Sequence, residues 1–132
     1  MCIRDRVINK TPKYLSENDF FPFRNKKSFF AMTGHIIYNK IDNVNTVTHS
    51  KKMIQYIRNK IGFRNILISD DLSMKSLKND IKTNTVKAFT AGCNIVLHCN
   101  GNITEMKIVA NNSPLISSFI TKKTSQFYKI LS

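Results

Sequence analysis

Short apolar stretches alternate along this chain with longer segments of helical periodicity, and polar residues separate the two kinds. The apolar stretches, each as long as a strand, are residues 28–33, 65–69 and 94–98. The segment between the first two is predicted as a loop from Gly34 to Val47, followed by a helix with Thr48 or Ser50 as its N-cap. This helix is predicted to end at Gly62, where a left-handed residue is favoured.

Three more helices are predicted from the same kind of pattern. One surrounds Ala88 and ends at Gly92, and the next carries Ile103, Met106 and Val109. The last is predicted to open at Ser113-Pro114, an N-cap with proline in the first turn. Its predicted buried residues are Leu115, Ile116, Phe119, Ile120, Phe127, Ile130 and Leu131.

The resulting order of elements is strand-helix repeated three times. Strands that are apolar throughout are typical of a parallel sheet covered on both faces, with right-handed helical crossovers. An α/β fold follows, either a doubly wound open sheet or a (β/α)₈ barrel. The chain has 132 residues, whereas a whole barrel needs about 250, so three strands cannot close one.

Composition narrows the possibilities further. The length fits one domain, no apolar run reaches the 18 residues of a membrane span, and the N-terminus has no secretory-signal pattern. The formal net charge is +13, but the lysines are scattered rather than clustered, which favours compositional drift over nucleic-acid binding. Cys2, Cys93 and Cys99 form no C-x-x-C pair. Cys93 and Cys99 are therefore predicted to be buried free thiols in a reducing compartment.

Each predicted strand runs into polar residues at its C-terminal end. Thr33 and His35 follow the first, Asp70-Asp71 the second, and His98 the third. In parallel α/β folds ligands bind at this edge, so the pattern indicates an active site. Asp70-Asp71 is its sharpest feature and leaves three hypotheses open: a nucleophile or general base, a receiver-like acidic pair for metal or phosphate, or a cap for the turn at residues 72–74.

The three histidines do not add a metal site to this edge. His35, His49 and His98 lack the H-x-x-x-H and H-E-x-x-H spacings. His49 is predicted to be exposed at a helix start. No metal or cofactor is therefore predicted.

Four stretches of the sequence resemble bacterial β-N-acetylglucosaminidases of glycoside hydrolase family 3. Residues 61–74 resemble the family's G-F-x-G-x-x-x-S-D-D-L-S-M signature, and residues 19–23 resemble D-F-x-P-F. Residues 31–35 resemble M-T-A-H, with Gly34 where alanine is usual. Residues 91–100 resemble A-G-C-D-x-x-L-x-C-N, with Asn94 in place of the acid.

The resemblance implies an incomplete (β/α)₈ barrel. The chain is similar to the last three β/α units, so residues 7–132 are expected to be the C-terminal part of the catalytic barrel of a longer protein. Residues 1–6 match nothing in the family and are expected to be non-native.

The resemblance also implies a function. Family members are retaining enzymes that remove terminal β-linked N-acetylglucosamine, chiefly from peptidoglycan fragments recycled in the cytoplasm, through a covalent glycosyl-enzyme. Asp70 matches the nucleophile. Asp71 is expected to orient the turn, and His35 and Met74 to line the sugar pocket. A carbohydrate substrate, a monomeric full-length protein and no nucleic-acid or membrane partner are expected.

One family motif is missing from these residues. The general acid/base of the family is a histidine in a loop resembling K-H-F-P-G-H-G-D, which the 132 residues do not contain. The isolated chain is therefore expected to have negligible activity. A receiver-like signalling domain and a basic nucleic-acid-binding module are the alternative functions.

Overall fold

A computed structural model describes residues 6–131 of the chain. Five short strands and five α-helices occur in this range. The strands are β1 (Arg6–Ile8), β2 (Phe30–Met32), β3 (Ile36–Tyr38), β4 (Ile66–Asp71) and β5 (Ile95–Leu97). The helices are α1 (Pro12–Glu17), α2 (Lys51–Tyr56), α3 (Ile81–Ala91), α4 (Ile103–Asn111) and α5 (Ser118–Leu131). Two 3₁₀ turns, Phe21–Phe23 and Val47–His49, and a π-helical extension of α2, Ile57–Ile61, complete the order.

All the strand pairs are parallel, which confirms the predicted α/β class. β2 pairs with β4 and β4 with β5, while β1 pairs with β3 in a second, two-stranded sheet. Only Thr33, Gly34 and His35 separate β2 from β3, so one segment of chain connects the two sheets. The C-terminal ends of β2 and β4 therefore lie side by side, with Met32 opposite Ile68.

Local capping chemistry sets the ends of the central helices as the sequence predicts. The Ser50 hydroxyl accepts the N–H of Met53 at the start of α2. The π-helical extension ends at Gly62, which has φ 84°, and α3 ends at Gly92, which has φ 115°. Left-handed residues of this kind favour glycine because a side chain there would be strained.

Two apolar clusters lie between the sheets and the helices. In the first, Leu67 of β4 packs with Ile54 of α2 and Ala88 of α3. In the second, Met53 packs with Leu15 and Phe20 from the first part of the chain. Because α2 contributes to both clusters, it fixes the helical layer against β4, the strand that carries Asp70-Asp71.

The strand predictions were incomplete. Three strands were expected and the described residues contain five; the predicted strand 28–33 is shorter, Phe30–Met32. The predicted loop from Gly34 to Val47 contains β3. The three-residue strands β1 and β3 form by pairing with each other. Such long-range pairing cannot be predicted from the local pattern of apolar residues.

The prediction for the last helix was wrong in its start and in its burial. α5 begins at Ser118, after Ser117, whose hydroxyl accepts the N–H of Ile120. Ser113 instead follows Asn112, the C-cap of α4, and its hydroxyl donates to the carbonyl of Val109. Leu115 is 96% exposed and Ile116 is 70% exposed. Phe119, Ile130 and Leu131 are also exposed.

Several sequence-based expectations fall on or beyond the edges of the described range. The segment 1–6 and Cys2 lie outside it, apart from Arg6, whose backbone pairs with Ile36 in the β1–β3 sheet. Cys93 is a buried free thiol as predicted, but Cys99 is exposed. Across residues 6–131, no helix has the length and apolar character needed to cross a membrane.

Candidate active site

Asp70 lies at the C-terminal end of β4, on the face of the sheet opposite α2 and α3. Successive side chains of a strand point to opposite faces, and Leu67 points into the helical layer. By this alternation Asp70 faces away from the helices, as does Ile68, which lies opposite Met32 of β2. The pairing of β4 with β5 is irregular between Ile68 and Asp71. The carboxylate is half-buried and lies at the edge where parallel α/β folds bind ligands.

One oxygen of the Asp70 carboxylate is anchored and the other is free. Oδ1 accepts the backbone N–H of Asp71 at 2.9 Å. Within residues 6–131, Oδ2 has no hydrogen-bond partner. A carboxylate held by one oxygen, with the second open towards the uncovered face of the sheet, has the geometry that a nucleophile requires.

The Asp71 carboxylate, by contrast, is fully engaged in the turn that follows the strand. It accepts hydrogen bonds from the N–H and hydroxyl of Ser73 and from the N–H of Cys99, at 2.8 to 3.1 Å. Burial alone would raise the pKa of Asp71, but these hydrogen bonds outweigh burial and lower it. The capping hypothesis therefore holds for Asp71, and Asp70 is left available for chemistry.

His35 is buried beneath this edge, with both ring nitrogens engaged. Nδ1 lies 3.0 Å from the Thr48 hydroxyl, and Nε2 lies 2.9 Å from the backbone carbonyl of Asp71. The Thr48 hydroxyl also contacts Thr33 Oγ1 at 2.9 Å. Thr33 Oγ1 in turn accepts the N–H of Asp70 at 3.3 Å. Both ring nitrogens of His35 therefore have partners within the protein. Sugar binding by His35 stays a prediction.

Met74 is half-buried in the turn after Asp71, and its N–H donates to the Asp71 carbonyl. Its place in a sugar pocket also stays a prediction. A cavity of about 250 Å³ lies instead on the helical side of the sheet, where Thr33, Met53 and Phe63 are among its residues. Asp70 does not line this mainly apolar cavity, so the cavity is not the expected sugar site.

His98 and His49 occupy structural positions near this edge. His98 Nε2 lies 2.8 Å from a carboxylate oxygen of Glu105, which also accepts from the side chain of Asn100. His49 was predicted to be exposed but is half-buried against the carbonyl of Asn84. Burial lowers the pKa of His49 to about 4, so the ring is neutral at pH 7. No group of three metal-ligating side chains occurs within the described part of the chain.

Sequence reasoning missed the residues that support Asp70. Thr48 was considered only as a helix cap, yet it joins Thr33 to His35 across 15 and 13 positions of sequence. Thr33 did carry a signal, because it is the first polar residue after an apolar stretch. Ser73 and Cys99, which hold Asp71, are separated by 26 positions, and only the pairing of β4 with β5 brings them together.

Comparisons with known proteins find relatives in one protein family. The model of the glycosyl hydrolase family 3 N terminal domain matches residues 4–125. A β-hexosaminidase from Nitrosomonas eutropha is 36% identical over 91 residues, which are 65% of this chain and 26% of that protein. The chain thus spans about a quarter of the length of this curated relative.

Solved structures show the same fold. Native NagZ from Neisseria gonorrhoeae superimposes with a TM-score of 0.75 and 26% identity, over 89% of this chain and 35% of that one. The same protein in complex with N-trifluoroacetyl-D-glucosamine gives a TM-score of 0.78 over 93% of this chain and 37% of that one; at 24% identity this match shows the fold alone.

Proposed function

The chain belongs to glycosyl hydrolase family 3, and from this we propose that it supplies the nucleophile of a retaining β-N-acetylhexosaminidase. The observation that carries the proposal is the asymmetric environment of Asp70. Its Oδ1 is held by a backbone N–H, and its Oδ2 has no partner among residues 6–131. The Asp71 carboxylate accepts hydrogen bonds from Ser73 and Cys99 instead, which supports Asp70 as the attacking group.

The reaction proposed for Asp70 has two steps. Oδ2 attacks the anomeric carbon of a terminal N-acetylglucosamine as the bond to the aglycone breaks, which forms a glycosyl ester on Asp70. The leaving oxygen takes a proton from a general acid. Water, deprotonated by the same group, then attacks the anomeric carbon and releases the sugar with its configuration retained.

The substrate is proposed from the names of the relatives. The curated matches are β-hexosaminidases, and a glucosamine derivative is bound in one solved neighbour. We therefore propose terminal β-linked N-acetylglucosamine as the sugar, on peptidoglycan fragments of the N-acetylglucosaminyl-anhydromuropeptide type. His35 and Met74 are proposed to lie at the border of the sugar site, beside Asp70.

The remaining expectations for the whole protein are proposals of the same kind. Residues 7–132 are proposed to form the last three β/α units of a family 3 barrel, with the earlier strands covering the face that carries Asp70. The general acid is proposed to come from a segment that these 132 residues do not contain. A monomer in the cytoplasm is proposed; the free thiols of Cys93 and Cys99 fit a reducing compartment.

A chimera tests the nucleophile directly. In it, residues 4–125 replace the matching segment of the Nitrosomonas eutropha β-hexosaminidase, which supplies the remaining strands. We expect the chimera to hydrolyse a chromogenic N-acetyl-β-glucosaminide. A fluorinated N-acetylglucosaminyl fluoride should label the peptide that contains Asp70, as seen by peptide mass mapping.

Two variants of the chimera separate chemistry from folding. Asp70→Asn should lower kcat by roughly 10⁴-fold or more, because a nucleophile acts as one unit with the rest of the site, and should abolish labelling. Asp80→Asn is the matched control: the Asp80 carboxylate caps α3 through Thr83, and asparagine caps as well as aspartate does. Label on another residue, or labelling that survives in Asp70→Asn, would move the nucleophile elsewhere.

A further inference from the structure

A buried network of three side chains connects the backbone on both sides of the candidate nucleophile. Its members, Thr33, Thr48 and His35, are 5%, 0% and 6% exposed. The network starts at the N–H of Asp70, passes through the two hydroxyls and the imidazole, and ends at the carbonyl of Asp71. Each of its four contacts is 2.9 to 3.3 Å long.

The two ends of this network and its contact distances determine the direction of every hydrogen bond in it. A backbone carbonyl only accepts, so His35 Nε2 must carry the proton that it donates to Asp71. In the neutral ring Nδ1 is then an acceptor. The Thr48 hydroxyl lies 3.0 Å from Nδ1 and 3.4 Å from the carbonyl of Gly34, so we assign its proton to the shorter contact, with Nδ1. Thr48 has no second proton to give, so the Thr33 hydroxyl donates to Thr48. Thr33 is thereby left with its lone pairs for the N–H of Asp70.

We infer that Thr33, Thr48 and His35, the last as the neutral Nε2–H tautomer, are positioning residues that fix the backbone of Asp70 and Asp71 in one orientation. The catalytic meaning of this inference rests on the proposed function. The three side chains act through the backbone, and the Asp70 carboxylate is the group that reacts.

The effect on the carboxylate follows from the connection between the network and its anchor. Asp71 N–H holds Oδ1 of Asp70, while the Asp71 carbonyl is held by His35. A rotation of the chain at Asp71 would move both groups, and with them the direction of Oδ2. Small displacements of a reacting group matter, because about 1 Å of misplacement costs on the order of 10²-fold in rate.

The tautomer is tested first, by NMR of the full 132-residue chain with ¹⁵N-labelled histidine. We expect the His35 ring near neutral pH to show a protonated Nε2 that exchanges slowly with water and an unprotonated Nδ1. The Nδ1–H tautomer would overturn the inference, and so would the rapidly exchanging mixture of a free imidazole. This measurement needs no variant and does not depend on a substitution being tolerated.

The backbone anchor is tested with a matched pair of substitutions at Thr33. Thr33→Val keeps the shape but removes the acceptor, and Thr33→Ser keeps the hydroxyl. We expect Thr33→Val to speed hydrogen exchange of the Asp70 amide roughly five- to tenfold, the worth of one hydrogen bond, relative to the Leu67 amide on the same strand. Thr33→Ser should restore the slow exchange. Equal acceleration at both amides would mean general destabilisation and would overturn the inference.

A spectroscopic signature separates positioning from a purely structural role. In the unaltered chain the Asp71 amide proton shift should follow the titration of the Asp70 carboxylate that it contacts. Thr33→Val should weaken this dependence, and Thr33→Ser should retain it; an unchanged dependence in Thr33→Val would contradict positioning. No sugar enters these measurements, so they can fail while labelling of Asp70 succeeds, and the reverse.

Discussion

At the scale of single residues, two adjacent carboxylates acquire opposite properties from their surroundings. The Asp71 carboxylate accepts hydrogen bonds from the N–H and hydroxyl of Ser73 and from the N–H of Cys99. The Asp70 carboxylate accepts one, from the N–H of Asp71. The same pair of letters in the sequence therefore contains a structural group and a group free to react. Spacing alone left both roles open for both residues, because the donors to Asp71 include Cys99, which follows another strand.

Gly34 provides the first prediction, because it stands where the family usually has alanine. A Cβ at this position would lie 3.5 Å from Ile36 Cδ1, an ordinary contact, and the backbone is not left-handed there. Gly34→Ala should therefore stabilise the chain by about 0.4–1 kcal/mol, chiefly by restricting the unfolded state. A urea unfolding curve with unchanged slope and a higher midpoint is the expected result.

Gly92→Ala is the control for this substitution. Gly92 has φ 115°, and an added Cβ would lie 3.0 Å from Ile54 Cγ2. This change should lower the free energy of unfolding by about 1–3 kcal/mol. Equal effects of the two alanines would mean that backbone conformation does not decide the outcome.

His49 provides a prediction about pH. Burial lowers its pKa to about 4 in the folded chain, against 6.5 for the unperturbed group, so the unfolded chain binds the proton more readily. The contribution of neutral His49 to stability is complete above pH 6.5 and is lost as the pH falls from 6.5 towards 4. Because the ring is half-buried, we expect the free energy of unfolding to fall by about 1 kcal/mol, well below the value that the whole pKa shift would correspond to.

The variant His49→Gln isolates this titration from those of the other histidines. The glutamine amide can still donate to the carbonyl of Asn84, the partner of His49, but does not titrate. Chemical unfolding at a series of pH values should show a smaller decline between pH 6.5 and 4 in the variant. Parallel curves for the two proteins would contradict the assignment to His49.

At the scale of elements, one side chain joins the π-helical extension of α2 to the sheet. Arg58 donates to the carbonyls of Phe63 and Asn65 and to Oδ1 of Asn94, and the same Oδ1 accepts the N–H of Leu67 in β4. Burial lowers the pKa of Arg58, so the guanidinium charge is only partly solvated. Its side-chain partner, Asn94, is neutral.

Asn94→Asp is therefore predicted to stabilise the chain at neutral pH. The acid that the family usually has here would pair with Arg58 through a charge-assisted hydrogen bond, which is stronger than the neutral one. We expect a gain of about 1 kcal/mol in the free energy of unfolding, discounted for the half-buried position. The gain should vanish at a pH low enough to protonate the new carboxylate, and in the Arg58→Gln background.

The elements also show which features a sequence can predict. The ends of α2 and α3 were predicted because Ser50, Gly62 and Gly92 act on their own backbone neighbours. The start of α5 was not predicted. Ser113 is of a residue type that often caps helices, but its hydroxyl donates to the carbonyl of Val109 in the preceding helix. The strands β1 and β3 depend on each other, so the short stretches 6–8 and 36–38 were not a sufficient signal by themselves.

At the scale of the molecule, the proposed reaction needs a general acid that these 132 residues do not supply. The face that carries Asp70 is uncovered, and the K-H-F-P-G-H-G-D motif is not among the 132 residues. We predict negligible hydrolysis of an aryl N-acetyl-β-glucosaminide by the purified chain. The loss of a general acid alone lowers the rate by about 10²–10⁴-fold, and the described residues enclose the proposed sugar site on one side only. The Asp70→Asn variant provides the background rate. Robust turnover by the unaltered chain above that background would contradict the prediction.

The fold class could be predicted because it depends on a strong local pattern, the apolar strands, and the place of Asp70 at the end of β4 followed from the same pattern. The buried network could not, because Thr33, Thr48 and His35 meet only after β2, β4 and the 3₁₀ turn are assembled. Sequence similarity pointed to Asp70 as the proposed nucleophile, and tertiary packing determined which side chains lie around it.

The exposed apolar side chains have a practical consequence for handling this protein. Leu115, Ile116, Tyr128, Ile130 and Leu131 are exposed around α5, and Met32 is exposed on the open sheet. Fluorescent dyes that bind exposed apolar surface are commonly used to detect molten globules. Their fluorescence should therefore increase on binding to the correctly folded chain as well. Near-ultraviolet circular dichroism, which senses fixed aromatic rings such as Phe20 against Tyr38, is the sounder criterion of nativeness.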